Sequence, residues 1–245
     1  MKDAAASQAS TRVPGVPVRA LLFDLDGTLV HTDPVHFHAW REMLAAHGVP
    51  IDEAGYARRV SGRHNPEIIA DLLPHLGTED ALAFADAKEA RFRALATGLT
   101  PLPGTRALLR AARAAGLRTA VVTNAPRVNA VFMLEALGLA EAFDAVGAAE
   151  DASAAKPDAA PYREMLARLE VAPDAAWAFE DSPSGVRSAR GAGVRVVGLA
   201  TTQSADELTR HGAALVVNDF TDTGLWEGPL RFLAAGRRGA NPVGD

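Results

Sequence analysis

Short apolar runs alternate with stretches of helical period along most of the chain. Residues 18–23 (VRALLF) are apolar and stop abruptly at Asp24, the pattern of a strand buried on both faces. Residues 117–122, 143–147, 175–179, 194–199 and 214–217 read the same way, the run at 175–179 diluted by alanines. Between them, apolar positions three and four apart predict helices over 105–115, 126–138, 159–169, 185–192, 204–210 and 222–235, with Gly116 and Gly138 closing the first two. This alternation predicts an α/β fold, a doubly wound parallel sheet with helices on both faces.

One stretch breaks the alternation. From about residue 36 to 98 only helical patterns occur, at 35–47, 52–60, 65–74 and 78–96, punctuated by Gly48, Pro50, Gly62, Pro66, Pro74 and Gly77. A single crossover helix would join the first two strands. The surplus predicts an inserted helical domain at 35–100, on a discontinuous core of 18–34 and 101–235, with linkers near 31–35 and 97–104. Residues 1–17 and 236–245 carry no period and read as flexible tails.

Composition narrows the function classes. The chain has 245 residues, 48% hydrophobic and 22% charged, which suits a globular protein with a real core. With no cysteine there is no disulfide framework, thiol nucleophile or thiolate metal site. A net charge of −5 gives no case for nucleic-acid binding. No apolar run reaches the length of a membrane span, and residues 1–17 hold no apolar signal-peptide centre, so a soluble, cytoplasmic protein is expected, and a monomer.

The chemistry gathers where strands end. Asp24 and Asp26 in Asp24-Leu25-Asp26-Gly27-Thr28 lie on the same side of an extended chain, at the strand end where open α/β sheets place ligands. Paired carboxylates there suit a magnesium ion and acid–base work, although a turn or cap after a strand uses the same residues. Three later loops at the same rim add Thr123-Asn124, Lys156-Pro157-Asp158 and Glu180-Asp181. A hydroxyl and an ammonium can hold phosphate oxygens while carboxylates hold Mg²⁺ beside them. Each loop alone has a plain reading as cap or surface residue. Four at one rim make coincidence a poor explanation.

This ordered set resembles the haloacid dehalogenase superfamily of aspartate-nucleophile phosphotransferases, over residues 18–225. Its DxDGT motif is matched by Asp24 to Thr28, its second motif by Thr123, its third by Lys156 and its fourth by Glu180 and Asp181. The helical insert looks like the family's small cap. The resemblance implies that Asp24 attacks phosphorus and Asp26 serves as acid and then base. It implies Mg²⁺ held by Asp24, the Asp26 carbonyl, Asp181 and Glu180, with Thr123, Lys156 and Asn124 on phosphoryl oxygens. The family often has a cis Lys-Pro bond, here Lys156-Pro157. Asp26 excludes the dehalogenases themselves.

Within the insert, His36 to Trp40, Ser61-Gly62-Arg63 and Lys88 look like the branch holding β-phosphoglucomutase and sugar-phosphate phosphatases. That resemblance implies His36, Arg63 and Lys88 facing the substrate, although Trp40 reads as core and Lys88 equally as a solvated side chain. His31, His36 and His38 show no fitting pair for zinc, and His31 stands where many members have Asp or Ser. The expectation is a Mg²⁺-dependent phosphatase of small phosphorylated metabolites, with sugar phosphates favoured. A β-phosphoglucomutase-like mutase is the alternative, served by Arg63 and Lys88 as distal anchors. A non-catalytic metabolite-binding regulator is the alternative from another class.

Overall fold

Strands β1 (Ala20–Phe23), β2 (Arg118–Val122), β3 (Ala145–Gly147), β4 (Ala176–Glu180), β5 (Arg195–Leu199) and β6 (Leu215–Val217) form one parallel sheet, in the order β3-β2-β1-β4-β5-β6. The computed structural model describes residues 17–234. Of the expected tails at 1–17 and 236–245, residues 1–16 and 236–245 lie outside the described residues, as does residue 235 of the last expected helix.

Helices α1 (Asp33–Ala45), α2 (Glu53–Arg59), α3 (Asn65–Leu72) and α4 (Thr78–Leu95) separate β1 from β2, and α5 (Thr105–Ala114) then completes the crossover. The remaining helices are α6 (Arg127–Ala136), α7 (Ala160–Leu169), α8 (Pro183–Gly191), α9 (Ala205–Arg210), α10 (Thr223–Glu227) and α11 (Arg231–Ala234). Among the described residues, no helix is long and apolar enough to cross a membrane.

The two-residue period of the strands divides the core. Leu21, Phe23, Val121, Phe179 and Val197 face one layer, completed by Leu108, Met133 and Leu225 from α5, α6 and α10. Ala20, Leu22, Ala120, Ala178 and Val196 face the other, against Tyr162, Met165 and Val186 from α7 and α8. Phe23 stacks on Phe179, with ring centroids 4.8 Å apart, under the strand ends that carry the polar rim. The inserted helices enclose a third cluster around Trp40, Tyr56, Ile68 and Phe84. Their exit and return segments are joined: Leu102 N donates to Leu29 O at 2.9 Å, and Val30 bridges to Pro101.

Three departures from the sequence reading have a clear physical cause. The first inserted helix begins at Asp33 rather than 35, with Pro34 in its first turn, where a missing N–H costs nothing. The expected strand at 143–147 is only β3, because the Asp144 carboxylate takes the Thr119 N–H at 2.8 Å that a ladder carbonyl would take. The helix expected over 222–235 is α10 and α11, separated at Gly228-Pro229, since Pro229 has no N–H to continue a helix and disfavours helical backbone before it.

Candidate active site

The strand order reverses beside β1, between neighbours β2 and β4, and this switch point is where open α/β sheets leave a crevice. Asp24 follows β1 and Asp181 follows β4, so the crevice opens between two carboxylates. Gly27, at φ +79°, turns the chain out of the crevice. A Cβ there would strike the Asp181 carboxylate, so only glycine satisfies both the turn and the close approach.

Lys156 arrives from the loop before α7, with a cis bond to Pro157. Its Nζ donates to Asp24 Oδ1 and Glu180 Oε1, each at 2.6 Å, and all three groups are buried. Tyr162 OH donates to the same Glu180 oxygen at 2.5 Å. Glu180 Oε2, also buried, has no hydrogen-bond partner among the described residues. Thr123, buried after β2, accepts the Ala125 N–H at 3.0 Å.

Ligand oxygens of Asp24, Glu180 and Asp181 lie within 4.8 Å of one another. Burial and the neighbouring carboxylates of Glu180 and Asp181 push the Asp24 carboxyl well up, against the pull of Lys156. Burial pushes Asp181 up to about 8, against the Thr202 hydroxyl and with Glu180 adding to the rise. Burial also opposes the charge on Lys156, but Asp24 and Glu180 outweigh it and hold the ammonium protonated. Three carboxylates thus share one cation. Hard oxygen donors with surplus negative charge and an unsatisfied carboxylate oxygen fit a divalent cation such as Mg²⁺.

Asp26 belongs to a different network. Its Oδ1 accepts from Thr32 Oγ1 at 2.6 Å and faces His36 Nε2 at 3.3 Å. The other ring nitrogen, Nδ1, accepts from Lys88 Nζ at 2.9 Å, which makes Nε2 the protonated one. Lys88 is buried and also bonds Glu89 Oε1 at 2.8 Å, and Glu89 takes the Asn65 and Asn129 amides, each at 2.5 Å. The His36 ring lies flat on Phe92, with centroids 4.0 Å apart. Burial opposes ionisation of Asp26, yet His36, Thr32 and Lys88 together hold its carboxyl below the usual range.

A cavity of about 380 Å³ opens beneath the insert, with Asp24, Asp26, Thr123, Lys156 and Asp181 on its floor. His36, Trp40, Arg63, His64 and Lys88 contribute to its roof. All of the expected site residues except Glu180 line this one cavity, with three departures in detail. The Asp26 carboxylate lies outside the three-carboxylate cluster, as the expected ligand role of its backbone carbonyl allows. Asn124 spends its amide on protein partners: Oδ1 accepts the Lys156 N–H at 3.0 Å, and Nδ2 points at His64 and the Lys156 carbonyl. Lys88 is tied to His36 and Glu89 rather than extended into the cavity. Arg63 donates to Asp71 and to the carbonyls of Arg59 and Glu67. His31 is exposed in the exit segment.

Tyr162, Thr32, His64, Glu89, Asn129 and Thr202 went unnoticed in the sequence. Tyr162 reads there as an apolar-face residue of a helix, and Glu89 as ordinary surface charge beside the noted Lys88. Thr32, His64 and Glu89 lay next to the noted His31, Arg63 and Lys88.

Residues 18–193 match the family model of haloacid dehalogenase-like hydrolases. Phosphoglycolate phosphatase of Rhodospirillum rubrum is 38% identical over 237 residues, covering 92% of this chain and 97% of its own. Validoxylamine A 7'-phosphate phosphatase of Streptomyces hygroscopicus subsp. limoneus is 33% identical, covering 83% and 95%. A crystal structure of a CbbY mutant from Rhodobacter sphaeroides, in complex with xylulose-1,5-bisphosphate, superposes with a TM-score of 0.73 at 33% identity, covering 84% of this chain and 96% of that one.

Proposed function

The chain belongs to the haloacid dehalogenase-like hydrolases, and on that footing we propose that it is a magnesium-dependent phosphatase of small phosphorylated metabolites, sugar monophosphates foremost, with Asp24 as nucleophile. It is a phosphoric monoester hydrolase. The observation that carries the reading is the convergence of Asp24, Lys156 and Asp181 on the floor of a lidded cavity. Residues 35–100 act as the lid on a core of 18–34 and 101–235.

Asp24 attacks phosphorus, the bond from phosphorus to the ester oxygen breaks, and an aspartyl phosphate forms. One hard displacement becomes two easier ones. Asp26 gives a proton to the departing oxygen, then takes one from the water that hydrolyses the aspartyl phosphate. Thr32 and His36 stabilise its carboxylate, the form required for the second step. Lys156 and Thr123 hold phosphoryl oxygens as charge shifts in the transition state. Asp24, Asp181, Glu180 and the Asp26 carbonyl would hold Mg²⁺, which would supply charge neutralisation between two anions that otherwise repel. The lid keeps bulk water from the aspartyl phosphate until substrate is in place.

The names of two relatives support the substrate class, since one acts on a validoxylamine phosphate and another binds a sugar bisphosphate. Hydrolysis is preferred to a mutase because Arg63, the candidate for a distal phosphate, is committed to Asp71. The regulator reading loses to the complete set of reactive groups. We place the protein in the cytoplasm as a monomer, which size-exclusion chromatography with light scattering checks. The function is tested with a panel of sugar monophosphates, 2-phosphoglycolate and nucleotides in Mg²⁺. Free phosphate from a sugar phosphate is expected. A product in which phosphate has only changed position would convert the reading to a mutase.

A further inference from the structure

His64 precedes α3 as its N-cap, a position where a side chain normally accepts an N–H of the first helical turn. It makes no such bond. Its ring instead leaves the insert and crosses to the core, where Nε2 is 2.8 Å from the Lys156 carbonyl oxygen. That carbonyl can only accept, so His64 carries its proton on Nε2 and donates. Asn124 Nδ2, 2.9 Å from the same nitrogen, then directs its hydrogen to the Lys156 carbonyl at 3.4 Å. Asn124 Oδ1 accepts the Lys156 N–H at 3.0 Å.

The backbone of Lys156 is therefore held by donors and acceptors on both sides, and one of them belongs to the insert. Its side chain meanwhile bridges Asp24 and Glu180. We propose that His64 is a positioning residue that couples lid closure to the phosphate-binding lysine. It pins the Lys156 carbonyl only when the insert sits over the cavity, and so completes the alignment of the ammonium with Asp24. Asn124 is the core half of this latch, which accounts for an amide at the rim that spends both ends on protein. The inference extends the phosphatase reading and rests on it for its kinetic consequence.

The test compares His64→Ala and His64→Gln, since a glutamine amide keeps an N–H donor of similar reach. With the sugar monophosphate best used by the wild type, and with p-nitrophenyl phosphate, His64→Ala is expected to lower kcat about five- to tenfold, the scale of one net hydrogen bond. KM is expected to change less, and His64→Gln to recover most of the loss. Amide exchange of residues 154–158 is expected to quicken several-fold in His64→Ala and to return toward wild type in His64→Gln. This exchange readout needs no substrate, so it stands even if the wild type hydrolyses no phosphate ester, an outcome that would defeat the phosphatase reading alone. Wild-type exchange at 154–158 in His64→Ala would overturn the latch. So would equal kcat losses in both variants, which mark a merely structural site.

Discussion

Lys88 Nζ lies 2.9 Å from His36 Nδ1, and this contact sets the opposite nitrogen of the ring as the donor facing Asp26. A buried ammonium thus acts on the acid–base residue through an imidazole. Burial pulls the Lys88 ammonium below its usual range, while Glu89 and Asp26 work to keep it charged. Lys88→Met is expected to lower kcat by roughly 10- to 100-fold with KM little changed, a part of the ~10²–10⁴ that acid–base help supplies. Pairing it with Glu89→Gln avoids a stranded buried carboxylate and separates chemistry from stability. A kcat at wild-type level in that double variant would remove Lys88 from the chain of contacts.

Asp26 serves both half-reactions. Asp26→Asn keeps the shape and the Thr32 contact but has no proton to exchange, so turnover is expected to fall ~10²–10⁴-fold. Steady-state assays with the preferred substrate check this, and a loss below threefold would assign the proton transfers elsewhere.

Crowded carboxylates make metal-free stability depend on pH. Asp181 is raised in the folded protein to about 8, from an ordinary carboxylate value near 3.8. A raised group contributes stability fully below its unfolded pKa, and loses it as pH rises through the folded pKa. In EDTA the Tm is therefore expected to fall as pH climbs from about 4 to about 8 through this group. Added Mg²⁺ binds the ionised form and is expected to raise the Tm more at pH 8 than at pH 5. Equal stabilisation at both values would argue against metal at these carboxylates. Activity is expected to vanish in EDTA and to return with Mg²⁺.

Arg63 is a third exposed and bound to Asp71 at 3.2 Å. Exposed pairs are worth about 0–1 kcal/mol. Arg63→Ala is therefore expected to shift the Tm slightly and to move KM for a sugar monophosphate by no more than about twofold. A tenfold rise in KM would show that the guanidinium leaves Asp71 to meet substrate, and would revive the distal-anchor reading.

The strands and the polar rim were legible because each leaves a local mark. Apolar runs that end at Asp24, Val122 and Glu180 announce buried parallel strands and the residues at their tips. Helices α1 to α4 showed themselves as surplus helix between two strands that need only one crossover. Networks that cross between elements left no such mark. His64 meets Lys156 across 92 positions and Asn129 meets Glu89 across 40, and no periodicity links residues so far apart. The split at Gly228-Pro229 was written in the sequence, but the apolar spacing of Leu225, Leu230 and Leu233 on either side read as one helix. For Arg63 and Lys88, residue type suggested an anion anchor, whereas the carboxylates that hold them decide where their charge goes.

The central claim is that Asp24 becomes covalently phosphorylated. Rapid acid quench during turnover, followed by borohydride reduction and peptide mass spectrometry, reads this directly. An acyl phosphate on Asp24 is expected, seen as reduction of that residue alone, with Asp24→Asn showing neither the modification nor turnover. Substrate turnover by Asp24→Asn, or a quenched wild-type enzyme with Asp24 unmodified, would contradict the account.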